Sequence, residues 1–134
     1  MGNKVVFDTN ILVSKIITEK LANFAVWIFM NNIKPLYSLP SENELRTVLN
    51  YEKFAKYKID IQGNIDFYKS ICEYCRTIPQ FTGCADPKDN YLFDLAIQGK
   101  AQYLVSSDKI VLSTPTPGRK FKKLTFPQFK EDIQ

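Results

Sequence analysis

Asp8, Glu44, Asp89 and Asp108 are the residues of this 134-residue chain whose types and places could do chemistry. Asp8 follows Val5, Val6 and Phe7 directly, and that β-branched and aromatic run reads as a short interior strand. A carboxylate at such a place costs several kcal/mol if it is buried without a partner. Asp108 stands two serines past Tyr103-Leu104-Val105, another strand-like run, and Asp89 opens a helix after a loop marked by Gly83 and Pro87. Glu44 lies one turn into the helix that Pro40 opens, and there it flanks the buried face marked by Leu45, Val48 and Leu49. Taken singly, a strand-end Asp is more often an Asx turn or a helix cap than a ligand. Four acids falling at strand ends and helix starts point instead to one acidic pocket. Carboxylates converging without interleaved Lys or Arg raise one another's pKa, so a hard divalent cation with oxygen ligands is their natural partner, and Mg²⁺ or Mn²⁺ fits.

The chain has no His. That removes the Ser-His-Asp triad, the Cys-His pair, the zincin site and any imidazole general base. A bound cation, which acidifies water, would supply the nucleophile that the absent imidazoles cannot. The three cysteines leave one over after any single pairing, so they do not form a secreted disulfide framework. Cys72 and Cys75 have C-x-x-C spacing, but they fall near the predicted end of a helix over 62–75 and on its apolar face, which favours core packing over redox or zinc chemistry.

The elements that must position these acids alternate. A strand over Val5 to Phe7 leads into a helical turn or two from Ile11 to Ile17. A helix over 20–32, ended by Pro35, precedes a strand over Leu36 to Ser38 and a helix from Pro40 to Leu49 capped by Ser38 or Ser41. The helix over 62–75 follows, then a short strand over Arg76 to Ile78, a helix from Asp89 that Gly99 stops, and strands over Tyr103 to Val105 and Lys122 to Leu124 before a closing helix from Phe126. Such alternation implies a parallel sheet with helices on both faces, and ligands of such sheets bind outside the carboxyl ends of the strands. Length fits a single domain over 1–134. The longest apolar stretches fall well short of the ~20 residues that span a bilayer, and no secretory leader is evident, so the chain reads as cytoplasmic, with no membrane contact.

The segments "VVFDTNILVSKII", "SLPSENELRTVL", "DPKDNYLFDLAIQGKAQYLVSSDK" and "KKLTFPQFK" together resemble the PIN-domain family, in particular its bacterial toxin components of toxin–antitoxin systems. The likeness runs nearly end to end. It implies an α/β fold, a three-layer α/β/α sandwich around a parallel sheet of four to five strands in which the first and fourth strands are neighbours. It also implies a single-stranded RNA endonuclease in which Asp8, Glu44, Asp89 and Asp108 hold Mg²⁺ or Mn²⁺. Asn10 and Ser106 match supporting positions. Asp86, the first acid of D-P-x-D, is left between two roles, binding a second metal or holding the loop. Lys88 replaces an acid common between Pro87 and Asp89, and Ser107 stands where Gly is frequent. An antitoxin protein and a homodimer are the protein partners the resemblance implies.

Net charge is +4, and with four of the 14 acids assigned to the pocket, ten remain against 18 basic residues, a balance of +8. A basic body around an acidic pocket suits a polyanion gripped along its backbone. Lys53, Lys56 and Lys58 interleave with Tyr51, Phe54 and Tyr57 as a groove lining would, although a solvated basic surface is the plainer reading. Arg119, Lys120, Lys122 and Lys123 form a second basic run, Arg46 is a candidate contact to the scissile phosphate, and Lys88 could steer one. Asp94 falls on a different helix face from Asp89 and reads as a solvated charge. Phosphatases of the haloacid dehalogenase type also place an Asp after their first strand, but they need D-x-D where this chain has Asp8-Thr9-Asn10. No glycine-rich phosphate loop occurs. The remaining rival is a PIN-like module that binds RNA or protein without cutting.

Overall fold

A computed structural model describes residues 2–18, 20–119 and 121–134. Five parallel strands, β1 (Asn3–Phe7), β2 (Ile33–Tyr37), β3 (Glu73–Tyr74), β4 (Tyr103–Val105) and β5 (Lys122–Leu124), form one sheet in the order β3-β2-β1-β4-β5. Alternation along the strands sorts their side chains into two cores. Val5, Phe7 and Val105 pack with helices α1 (Thr9–Thr18), α2 (Leu21–Met30), α3 (Leu39–Leu49), α4 (Ile61–Ile71) and α7 (Phe126–Asp132). Val6 and Leu104 face the other way, against α5 (Asn90–Gln98) and Val111 of α6 (Lys109–Ser113). The result is the expected three-layer sandwich, with the first and fourth strands paired.

Local signals explain most boundaries. Ser38 caps α3 by accepting from the Ser41 N–H while Ser41 returns a bond to the Ser38 N–H, and Thr125 and Gln128 do the same for α7. Four expectations need correction. Pro35 lies inside β2 rather than after a helix; β3 pairs only with Leu36 and Tyr37, so a residue without an N–H is tolerated there. α2 stops earlier, at Asn31 and Asn32, and Asn32 takes φ 54°. α4 ends at Ile71, and the strand expected at 76–78 is β3, three residues earlier. Cys72 and Cys75 therefore flank an extended strand, with Cα atoms roughly 10 Å apart at strand rise, beyond disulfide reach. Burial raises the Cys72 thiol to about 12, so it stays protonated and packs as an apolar group.

Gly99 does end α5, but at φ −82°; the left-handed residue is Lys100, φ 56°. Gly99 is favoured by proximity, because a Cβ there would lie 2.7 Å from the Leu95 carbonyl oxygen as well as 2.7 Å from Leu36 Cδ1.

Asp94 is the clearest reversal. It is only 6% exposed, and its Oδ1 accepts from the N–H groups of Gln80 and Phe81 and from Gln98 Nε2. The segment at 78–81 folds over α5 and takes this carboxylate out of water. Asp94→Ala is expected to destabilise the protein by about 1–3 kcal/mol, because it deprives the part-buried N–H groups of Gln80 and Phe81 of their carboxylate acceptor. Urea denaturation checks this, and an unchanged midpoint would show that water replaces the carboxylate freely.

Candidate functional site

The carboxyl ends of β1 and β4 are joined one residue beyond their ladder: the Asp8 N–H donates to the Val105 carbonyl at 2.8 Å. This carries Asp8 to the rim of the sheet with only 6% of its surface exposed. Ser106, fully buried, donates its hydroxyl to Asp8 Oδ2 at 2.7 Å and accepts the Asp108 N–H at 2.9 Å. One hydroxyl thus links the two strand-end acids. Asp108 also caps α6, its Oδ1 accepting from the Ile110 N–H. Asp89 is the residue before α5 and makes no side-chain capping bond. Asp86 Oδ1 accepts the Lys88 N–H and caps the short 3-10 turn Pro87–Asp89. Ser107, standing where Gly is frequent, does not take a positive φ, so the substitution carries no backbone strain.

Electrostatics joins the set. Burial, followed by the charges of Asp108 and Glu44, raises the Asp8 carboxyl above its ordinary range, against the hydrogen bond from Ser106. Burial, then the charges of Asp8, Asp86 and Asp108, lifts Asp89 to about 6, with Lys88 opposing. Asp8 is therefore within electrostatic reach of Glu44, Asp89 and Asp108 together. Among the described residues no three Asp, Glu or Cys side chains already stand within range of one shared ion. Acids that repel one another across water relax apart, and Mg²⁺ needs only one or two direct carboxylates because it keeps several waters. An all-oxygen donor set with like-charge strain fits a hard cation.

Other sequence candidates fall elsewhere. Arg46 is engaged by Glu42 at 3.0 Å and reaches Gln62 on α4, so it braces the α3–α4 pair and is not poised for a phosphate. Asn10 is exposed on the first turn of α1 and makes no hydrogen bond to the acids among the described residues. Lys53 and Lys56 are exposed in the 3-10 segment Glu52–Tyr57 between α3 and α4, over the rings of Phe54 and Tyr57. In the second basic run, Lys122 pairs with Asp132 and Lys123 donates to the Thr114 carbonyl, while Lys120 lies outside the described residues.

The family model of the PIN domain matches residues 4–110, most of the chain. The chain belongs to the PIN-domain family. Two solved structures share the fold of this PIN domain at TM-score 0.59 each. One is that of VapBC2 from Rickettsia felis bound to a DNA fragment from its promoter, 16% identical, covering 90% of this chain and 96% of the other. The second is PAE2754 from Pyrobaculum aerophilum, 14% identical, covering 98% of this chain and 89% of the other. No curated protein matches the sequence.

Sequence reading of this PIN domain missed two hydroxyls. Thr9 Oγ1 and Tyr91 Oη lie 3.0 Å apart, between the turns that carry Asp8 and Asp89. Burial, then the nearby carboxylates, pushes the Tyr91 phenol far above its ordinary range, against its bond with Thr9.

The raised Asp89 carboxyl predicts a pH effect. Unfolded, it releases its proton near about pH 4, and folded near about 6. Between these values the folded state binds more protons, so this group's contribution to stability falls as pH rises through that window. Discounted for solvent screening, the cost above it is about 1 kcal/mol. Metal-free Asp89→Asn is expected to gain melting temperature over wild type at pH 7.5, with the gap closing toward pH 4. A gap constant with pH would show that Asp89 is not strained.

Proposed function

We propose that this PIN domain is a Mg²⁺- or Mn²⁺-dependent endoribonuclease that hydrolyses phosphodiester bonds of single-stranded RNA in the cytoplasm, as the toxin of a toxin–antitoxin pair. The observation that carries the reading is the placement of buried Asp8 in electrostatic reach of Glu44, Asp89 and Asp108 at the carboxyl ends of the central strands. Family membership supports a metal-dependent nuclease as the general class. Asp8, Glu44, Asp89 and Asp108 are the residues that would hold the ion, with Asp86 beside them. A divalent cation there supplies Lewis acidity, activating water and offsetting charge on the phosphate. Ser106 fixes the Asp8 carboxylate, and Lys88, exposed beside Asp89, draws phosphate toward the acids. Lys53 and Lys56 grip the RNA backbone, and the exposed rings of Tyr51 and Tyr57 offer faces for bases.

An antitoxin protein is supported by the likeness to VapBC2, and a homodimer by the exposed apolar row Val26, Phe29 and Met30 on α2. No described helix is long and apolar enough to cross a membrane, which agrees with a cytoplasmic role.

The second reading, a silent RNA- or protein-binding module, draws on the separation of the acids from any ready-made ion cage. End-labelled single-stranded RNA incubated with the protein and Mn²⁺ separates the two. The nuclease reading expects internal cuts that EDTA abolishes; intact RNA at every Mn²⁺ concentration favours the silent module. Replacing both Lys53 and Lys56 by Gln is expected to weaken RNA binding and to reduce the slope of log affinity against log salt by about 1.4, two released counterions on a single strand. An unchanged slope would place the RNA elsewhere.

A further inference from the structure

Two polar ties meet at the turn that follows β1. The Ser106 hydroxyl joins Asp8 to the backbone of Asp108. The Thr9–Tyr91 bond joins the first residue of α1, which follows Asp8 directly, to the second residue of α5, two past Asp89, over a separation of 82 residues. Among the described residues it is the sole hydrogen bond between 8–12 and 86–91. Its surroundings are buried on one side and open to solvent on the other. Thr9 is buried at 7% exposure, and the Tyr91 ring packs against the core beneath α5. The 3-10 turn Pro87–Asp89, in contrast, has no buried residue and is held by Asp86 and by its own backbone.

We infer that Thr9 and Tyr91 are positioning residues, a hydroxyl pair that holds the Asp89 turn against Asp8 and thereby sets how tightly the acidic site takes a divalent cation. The inference rests on the nuclease reading for its biological meaning, but cation uptake can be measured without RNA. Asp8 and Asp89 repel, and among the described residues no other hydrogen bond bridges their turns, so loss of the bond lets the exposed turn relax outward. Each tie then serves one partner of Asp8: Ser106 serves Asp108, and the Thr9–Tyr91 pair serves Asp89.

The test uses the full chain with Tyr91→Phe, which removes one oxygen and keeps the ring, together with Thr9→Val, Thr9→Ser and the double variant Thr9→Val with Tyr91→Phe. Mn²⁺ binding is read by electron paramagnetic resonance on metal-free protein without RNA, beside the melting temperature. Tyr91→Phe and Thr9→Val are each expected to weaken Mn²⁺ binding about 10-fold, the range for groups that orient metal ligands. The double variant is expected to be no weaker than either single one, because all three lose the same bond. Thr9→Ser, which keeps the hydroxyl, restores binding, and the Mn²⁺ concentration for half-maximal RNA cleavage rises by the same factor as the binding constant. Unchanged Mn²⁺ affinity in Tyr91→Phe, with only a lower melting temperature, overturns the inference while leaving the nuclease reading intact. Wild-type protein that takes up Mn²⁺ but leaves RNA uncut overturns the nuclease reading alone. Wild type that takes up no Mn²⁺ overturns both.

Discussion

Asp8→Asn is expected to lower Mn²⁺-dependent RNA cleavage by more than about 100-fold and, in metal-free buffer at neutral pH, to raise the melting temperature. Groups that merely orient metal ligands cost about 10- to 100-fold when removed, so a ligand at the centre of the cluster should exceed that range. Stability moves the other way for a separate reason. Burial and the neighbouring charges of Asp108 and Glu44 disfavour the ionised Asp8 carboxylate, and a neutral amide removes that cost while still accepting from Ser106. Opposed signs are the signature of an acid kept for function at the expense of the fold. RNA cleavage assays with thermal melting in EDTA check both halves. Wild-type cleavage by Asp8→Asn would remove Asp8 from the site, and a lower metal-free melting temperature would show that its charge is stabilised by something other than a cation.

Phe129→Ala is expected to cost about 3–5 kcal/mol, the range for emptying a large buried ring, and so to unfold a substantial part of the population at 37 °C. Phe129 is fully buried, and its ring meets those of Tyr103 at 4.9 Å, Phe7 at 5.8 Å and Trp27 at 6.2 Å. Phe7 and Tyr103 lie on β1 and β4, the strands that deliver Asp8 and Asp108. The closing helix therefore bears on the site through packing, and through the bond that the Tyr103 hydroxyl donates to Asp132 at 2.7 Å. Guanidinium denaturation measures the loss, and a change under about 1.5 kcal/mol would mean that neighbouring rings collapse into the space.

Much of the fold was legible because its elements announce themselves over short distances. Val5 to Phe7 is a strand by side-chain type, Ser38 with Pro40 is a helix start by capping chemistry, and alternation of strands with helices dictates a parallel sheet. Strand-end acids then follow from where parallel sheets bind ligands. The failures share the opposite character. Asp94 looked solvated because a five-residue step from Asp89 puts it on another face of α5, and no local pattern shows that the coil at 78–81 will cover that face. β3 is two residues long, too short for any periodicity to register. Proximity to Glu44 along the chain suggests Arg46 as a phosphate contact, but its partner is Glu42, one full turn away, in the seam with α4. The Thr9–Tyr91 bond joins residues 82 apart, and neither hydroxyl stands out in its own segment.

The outer strands bound the ways this protein can associate. β3 has two residues, Glu73 among them, and β5 has three, two of them lysines. A strand from another molecule would find few rungs to add to at either border and would meet charge there. Sheet extension across two copies is thereby disfavoured, and self-association, where it occurs, has to run through helix surfaces.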